Sequence, residues 1–299
     1  MTEPLVRPAA EQRERSGATV DLHLHSTASD GLLPPAAVVS AARVVGLTAI
    51  ALTDHDTVDG IAEARMTAEH AGIRFVAGIE LSAEENGVEI HILGLHLLDV
   101  TTLRDRLLEL QAERIDRARA IVARLAELGV SVSYDAVLAH AAGGAVGRPH
   151  VARAMLDAGV VKDFREAFDR YLGAARPAFI PKKKLSVRDA VSLVHVAGGL
   201  AVWAHPGTHA GDPLLTAVTE AGLDGLEVLH PSHGPEMISR LSALCDARNL
   251  VPSGGSDWHA TPGATRTLGS QAVPLAWLER QDAALAERES AGRPALGAH

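Results

Sequence analysis

Asp21-Leu-His-Leu-His-Ser-Thr-Ala-Ser-Asp-Gly31 puts two histidines one residue apart after an apolar approach, and an aspartate five residues beyond the second. The segment Thr19–His25 alternates polar and apolar residues, the period-2 pattern of a half-buried strand. Side chains at i and i+2 share a face, about 6.6 Å apart along the strand. Asp21, His23 and His25 therefore fall on one face, Leu22 and Leu24 on the other. Two imidazoles at the end of a strand are able to converge on one divalent metal. The plainer reading is a pair of polar histidines held by carboxylates, and the rest of the chain decides between them.

Further apolar segments follow at Thr48–Thr53, Arg74–Ala77, Val88–Leu95, Leu200–Ala204, Gly225–Leu229 and Leu250–Pro252. Helical stretches separate most of them: Pro35–Val45 ending at Gly46, Asp59–Ala71 at Gly72, Ser186–Ala197 at Gly198, Pro213–Ala221 at Gly222, and Pro235–Arg248. This alternation predicts parallel strands joined by crossover helices, and seven strands suggest a (β/α) barrel. Leu103–Leu128, Tyr134–His140, Pro149–Ala158 and Asp163–Leu172 break the pattern and read as an all-helical insertion over residues 99–185. The domain expectation is a tail at 1–17, a barrel from 18–98 and 186–288, the insertion between them, and a flexible end at 289–299.

The 299 residues carry a formal net charge of −9, which argues against a general nucleic-acid coat. The charge is uneven. Residues 99–184 hold 15 Lys+Arg against 11 Asp+Glu, a net +4, and the remainder is −13. Cys245 is the sole cysteine, so no internal disulfide forms, which suits a reducing cytoplasm. The N-terminal stretch lacks an apolar h-region, and no apolar run approaches membrane-spanning length. No membrane association and no obligate protein partner are expected.

The polar clusters sit at or near strand ends. They are Thr53-Asp-His-Asp-Thr57, Gly78-Ile-Glu80, Glu89-Ile-His91, Ala204-His-Pro206 and Ser256-Asp-Trp-His259. In a barrel such ends open on one face, where active sites form. Together with His23 and His25, six strand ends carrying metal-ligand residue types are hard to explain as packing, because unpaired buried charges are costly.

HLHS, TDHDT, GIE, EIHILG, AHPG and SDWH, in this order, resemble the PHP (polymerase and histidinol phosphatase) family of metal-dependent phosphoesterases, over about Val20 to His259. GRPHVARAM and DGLEVLHPSH are similar to its stand-alone bacterial branch of 3′,5′-nucleotide phosphatases and 5′→3′ exoribonucleases. The resemblance implies a distorted (β/α)7 TIM-like barrel, in agreement with the strand count. It implies that His23, His25, Glu80 and Asp257 hold one metal, that Asp30, His55 and His259 hold a second, and that His91 and His205 hold a third with Glu80 bridging. Some members have His at the position of Asp30. A carboxylate there favours Mn²⁺ or Fe²⁺ over Zn²⁺, and two or three ions are expected.

Such a cluster attracts a phosphate, polarises it and activates a bridging water for in-line attack. Asp54 and Asp56 flank a ligand and are expected to orient it or to act in catalysis; the plainer reading is a loop cap. His230 is the candidate general acid, with His233 beside it as a possible substrate contact. Arg148 and His150, at the start of an insertion helix, form a candidate phosphate clamp; the plainer reading is a surface arginine with a capping histidine. Lys182 and Lys183 are further substrate-binding candidates. The expected function is hydrolysis of bisphosphate or 5′-nucleotides, or of short 5′-phosphorylated RNA from its 5′ end. Histidinol-phosphate hydrolysis fits a basic insertion poorly. A polymerase-accessory role or metal binding without catalysis are the other readings.

Overall fold

The computed structural model describes residues 19–141, 146–181, 185–207, 212–261 and 265–290. The expected tail at 1–17, most of 289–299, Lys182 and Lys183 lie outside the described residues. The described residues form two compact units, one drawn from 19–104 and 185–290, the other from 105–181.

In the first unit the strands are β1 (Thr19–Asp21), β2 (Ala49–Leu52), β3 (Arg74–Glu85), β4 (Val88–Leu95), β5 (Leu185–Ser186), β6 (Leu200–Trp203), β7 (Gly225–Leu229), β8 (Val251–Gly254) and β9 (Val273–Pro274). Their order is β8-β7-β6-β4-β3-β2-β1-β9, with β5 beside β3. The ring closes between β8 and β1: Leu22 N–H donates to Gly254 O at 3.1 Å, and His25 N–H to Trp258 O at 3.1 Å. Seven strands (β1, β2, β3, β4, β6, β7 and β8) thus make a distorted barrel, the number the sequence pattern implied.

The strands are not all parallel, contrary to the strand-helix reading. β4 runs antiparallel to both β3 and β6, while the other ring pairs are parallel. The cause is local. Asn86 and Gly87 both have positive φ (52° and 79°) and join β3 to β4 in a two-residue turn. Such a turn connects only antiparallel strands, and Asn-Gly is its preferred sequence. β3 accordingly runs to Glu85 rather than stopping at Ala77. Regular pairing of β1 ends at Asp21, and His23 to His25 continue on single backbone bonds to the segment after β8.

The helices here are α1 (Pro35–Val45), α2 (Ile61–Ala71), the first turn of α3 (Val100–Glu127), α7 (Val187–Val196), α8 (Asp212–Glu220), α9 (Pro235–Arg248) and α10 (Leu275–Ser290). Pro35 opens α1, and left-handed Gly46 and Gly72 close α1 and α2. Ser186 Oγ accepts from Asp189 N–H at 3.0 Å and caps α7. Period-2 burial on β2 sends Ala49 and Ala51 to one apolar cluster with Val20, Leu22 and Leu93, and Ile50 and Leu52 to another under α1 and α2. Each fully buried Leu or Ile contributes roughly 1.5–3 kcal/mol.

The second unit holds the rest of α3, then α4 (Tyr134–Ala141), α5 (Arg148–Asp157), α6 (Phe164–Ala167) and a π-helical turn, Phe168–Leu172. It has its own apolar core, including Ile121, Leu125, Val137, Val151, Met155 and Leu172. Asp163 caps α6, its Oδ1 accepting from Glu166 N–H at 2.8 Å.

Candidate metal centre

The barrel strands deliver their polar residues to one carboxylate. Glu80 lies on β3 and is 1% exposed. Its Oε2 is 3.0 Å from His23 Nε2, 3.2 Å from His25 Nε2 and 3.3 Å from His55 Nδ1. Its Oε1 is 2.7 Å from His91 Nδ1 and 3.0 Å from His205 Nε2. Five imidazoles from four strands or strand ends therefore surround one carboxyl group. Burial alone would raise the Glu80 pKa, but His55, His23 and their neighbours hold it well below the usual carboxylate range.

Asp257 supplies a second carboxylate. Its Oδ1 lies 3.5 Å from His23 Nε2 and 3.2 Å from His25 Nε2. Its Oδ2 lies 3.3 Å from His230 Nε2 and 2.5 Å from Arg266 Nη1. Asp30, at the edge with a 55%-exposed side chain, has Oδ1 3.3 Å from His259 Nε2 and Oδ2 3.9 Å from His55 Nε2. Asp56, His205 and Asp257 all have positive φ (51°, 31° and 51°), a strained region for residues other than glycine.

Among the described residues, three donor sets are compact enough for a cation: His23, His25, Glu80 and Asp257; His25, Asp30, His55 and His259; and His55, Glu80 and His91. The first coincides with the set implied by resemblance. The second adds His25. In the third His55 stands in place of His205, although His205 and His91 approach the same Glu80 oxygen.

A metal ion fits these residues. Bonds of about 2.0–2.2 Å place neighbouring donors about 3.0–3.5 Å apart. The His23 and His25 nitrogens lie 3.0–3.5 Å from the Glu80 and Asp257 oxygens. Both ring nitrogens of His25 are buried with no hydrogen bond, despite carboxylate oxygens 3.2 Å from Nε2. Donors converging on a point, not along N–H directions, are the mark of a ligand set. Imidazole with carboxylate and no thiolate suits Zn²⁺, Mn²⁺ or Fe²⁺. Without a cation, protons take its place. Burial opposes charge on His25 and His91, yet Asp257 and Glu80 hold His25 at about 9, and Glu80 and Glu89 hold His91 at about 10.

The structure gives the other residues singled out in the sequence different surroundings. Asp54 is not aimed at the cluster. Its oxygens accept from Ser26 N–H (2.7 Å), Ser26 Oγ (2.7 Å) and Ser29 Oγ (2.8 Å), and so pin the turn that carries Asp30. Asp56 accepts from Ser82 N–H and Ser82 Oγ, both at 2.8 Å, fixing the β2 end against β3. The loop-holding reading describes both carboxylates. His230 does join the cluster, buried, with Nδ1 2.7 Å from Ser232 Oγ. His233 does not. Its Nδ1–H donates to Val228 O at 3.0 Å and its Nε2 accepts from Gly207 N–H at 3.2 Å, so it is a neutral loop anchor, and burial pushes its pKa down.

In the second unit, Arg148 donates from Nη1 to Leu172 O at 3.1 Å and lies over the Phe168 and Phe179 rings. His150 Nδ1 accepts from Gly147 N–H at 3.0 Å and caps α5.

Sequence reading missed Glu227 and Arg266. Glu227 is fully buried on β7, its Oε1 3.0 Å from His23 Nδ1 and its Oε2 2.6 Å from the His205 backbone nitrogen. A lone carboxylate between Leu226 and Val228 in a buried strand was the available signal. Gly255 lets the backbone come close to the ligands: a Cβ there would stand 2.4 Å from His23 Cβ.

Comparison with known proteins agrees with this geometry. The PHP domain model matches residues 21–179. A 3′,5′-nucleoside bisphosphate phosphatase of Chromobacterium violaceum is 34% identical over 259 residues, covering 84% of this chain and 91% of that protein. A 5′-3′ exoribonuclease of Haemophilus influenzae is 36% identical over 245 residues, covering 80% and 89%. A solved structure from Bifidobacterium adolescentis, assigned as a metal-dependent phosphoesterase, superposes with a TM-score of 0.76 at 31% identity, covering 89% of this chain and 96% of its own. With six ordered motifs meeting around Glu80 and this similarity along most of its length, the chain belongs to the PHP family of metal-dependent phosphoesterases.

Proposed function

We propose that this hydrolase removes phosphate from 3′,5′-bisphosphate nucleotides and releases 5′-nucleotides stepwise from short 5′-phosphorylated RNA. The observation that carries the proposal is the sharing of Glu80 by five imidazoles from four strands, a donor array suited to adjoining cation sites in the barrel. Two or three divalent cations held there, Mn²⁺ or Fe²⁺ by the carboxylate content, would supply Lewis acidity toward the phosphoryl oxygens and a water acidic enough to attack at neutral pH.

The chain's own groups do the rest. His23, His25, His55, His91, His205 and His259 present ring nitrogens, and Glu80, Asp257 and Asp30 present oxygens, to the cations. Asp54 and Asp56 orient the turns on which these ligands ride. His230 is the proton donor to the leaving oxygen, its Nε2–H shared with Asp257 Oδ2 at 3.3 Å. Arg148 and His150, in the second unit, are the proposed phosphate-binding residues. Lys182 and Lys183 stay within this proposal as further cations. The buried, unpaired Cys245 suits a cytoplasmic location, and a nucleotide or short RNA is the only partner the chemistry requires.

The test is direct. Protein reconstituted with Mn²⁺ receives a 5′-phosphorylated RNA and, separately, 3′,5′-adenosine bisphosphate, with products resolved by chromatography. The proposal expects 5′-mononucleotides from the RNA and inorganic phosphate from the bisphosphate. Failure to hydrolyse either, with metal loaded, refutes it.

A further inference from the structure

We infer that Glu227 is a positioning residue that ties two separate metal-ligand histidines, His23 and His205, to one buried carboxylate, so that the cation sites form and fail together; this rests on the metal-centre reading above. The evidence is geometric. Glu227 is 0% exposed. Each oxygen has its own partner: Oε1 is 3.0 Å from His23 Nδ1, and Oε2 is 2.6 Å from the His205 backbone N–H. Glu227 itself exposes neither oxygen to solvent.

The two bonds do different work. A carboxylate at Nδ1 makes that nitrogen the N–H donor, so His23 presents Nε2 with its lone pair toward Glu80 and Asp257. The bond to the His205 nitrogen holds a residue whose φ is +31°, an unfavourable conformation that needs a fixed partner. It also sets His205 Nε2 at 3.0 Å from Glu80 Oε1. The strand itself is shaped for this. Pairing between β7 and β8 shifts register between Glu227 and Leu229, a bulge of the kind that re-aims a side chain.

Both partners are donors, so both oxygens must accept. Glutamine has nearly the same shape but offers one acceptor and one donor. With its oxygen on His23, its NH₂ opposes the His205 N–H. Turned over, its NH₂ forces His23 to carry a proton on Nε2, where the metal should bind. Glu227→Gln is therefore a sharp test, and Glu227→Asp, which keeps two acceptors on a shorter arm, should recover part of the loss.

Metal-depleted wild-type and variant proteins would be titrated with Mn²⁺ by calorimetry, with bound metal counted by mass spectrometry. Glu227→Gln should bind its metals about 10- to 100-fold more weakly and lose more than one equivalent at limiting Mn²⁺. Wild-type stoichiometry and affinity in Glu227→Gln would overturn the inference. A wild-type protein that takes up no metal would instead refute the metal-centre reading. A second measurement does not depend on the variant folding. In ¹⁵N-histidine spectra of the Zn²⁺-loaded wild-type protein, His23 should carry its proton on Nδ1. A proton on Nε2, or none on Nδ1, would also overturn the inference.

Discussion

Replacing Gly255 by alanine adds a single methyl group, yet the structure predicts a loss of metal binding. The added Cβ would lie 2.4 Å from His23 Cβ, 2.5 Å from His23 N and 2.9 Å from Asp21 Oδ1. Real Cβ atoms essentially never come within 3.0 Å of such neighbours, so the His23 backbone must retreat by at least about 0.6 Å. His23 cannot do so freely, because its carbonyl accepts from Asp257 N–H at 3.0 Å and its ring is held by Glu227 and Glu80. Overpacking of this kind costs about 1–3 kcal/mol, which lowers the melting temperature by roughly 2–12 °C at about 2–4 °C per kcal/mol. A ligand site tolerates only about 0.5 Å of displacement, so Mn²⁺ affinity should fall by about tenfold or more. Gly72→Ala is the control. Its φ is +64° with nothing within 4 Å of the new Cβ, so it should cost about 1–2 kcal/mol of backbone strain and leave metal affinity unchanged. Calorimetric Mn²⁺ titration of both proteins decides the matter. Wild-type affinity in Gly255→Ala would refute the close-approach argument, whatever its melting temperature.

Asp54→Asn removes one of the two acceptors that hold Ser26 and Ser29, so it should cost about 1–3 kcal/mol and lower activity through the misplaced Asp30 turn; an unchanged melting temperature in thermal denaturation would contradict the loop-holding role. Arg148→Ala should raise KM for bisphosphate with metal content unchanged and also loosen the packing on Phe168 and Phe179; an unaltered KM would count against the phosphate clamp. In the metal-free protein, His25 and His91 have raised pKa values of about 9 and 10. Their stabilisation is present below the unfolded value of about 6.5 and disappears as pH rises through 9 and 10, while metal binding, which needs neutral imidazole, strengthens. Apoprotein melting temperature should thus fall, and Mn²⁺ affinity rise, between pH 6 and pH 9; affinity independent of pH over that range would disprove the competition. Cys245, buried and pushed up to about 11, should resist a thiol reagent at pH 8 until the protein unfolds, which an absorbance assay with and without denaturant would show.

Much of the site was legible because its ligands are local signals. His23 and His25 share a strand, and His55, Glu80, His205 and Asp257 each end or follow an apolar segment. The polarity of β4 was also written in the chain, in Asn86-Gly87, but the alternation of strands and helices around it favoured a parallel reading. Glu227 and Arg266 were harder to see. Glu227 meets His23 across 204 positions of sequence, and no spacing rule relates the two. Asp54 and Asp56 mislead for the opposite reason. Sitting beside His55, they look like reacting groups, and only the hydroxyls of Ser26, Ser29 and Ser82, brought in by neighbouring strands, reveal what they hold. In the second unit, Arg148 and His150 read as a clamp by their place at a helix start. Their observed bonds, to Leu172 O and from Gly147 N–H, depend on the packing of the helices there.

Glu80 stands at the centre of the account, so its removal is the most direct test. Glu80→Gln keeps the shape of a side chain that is 1% exposed but withdraws the charge and one of the two acceptors that five imidazoles share. The measurement is release of inorganic phosphate from 3′,5′-adenosine bisphosphate by wild-type and variant protein across a Mn²⁺ titration. The account predicts Mn²⁺-dependent turnover in the wild type and none in Glu80→Gln at any Mn²⁺ concentration. Turnover by the variant within tenfold of wild type, or wild-type turnover that survives complete removal of metal, would contradict it.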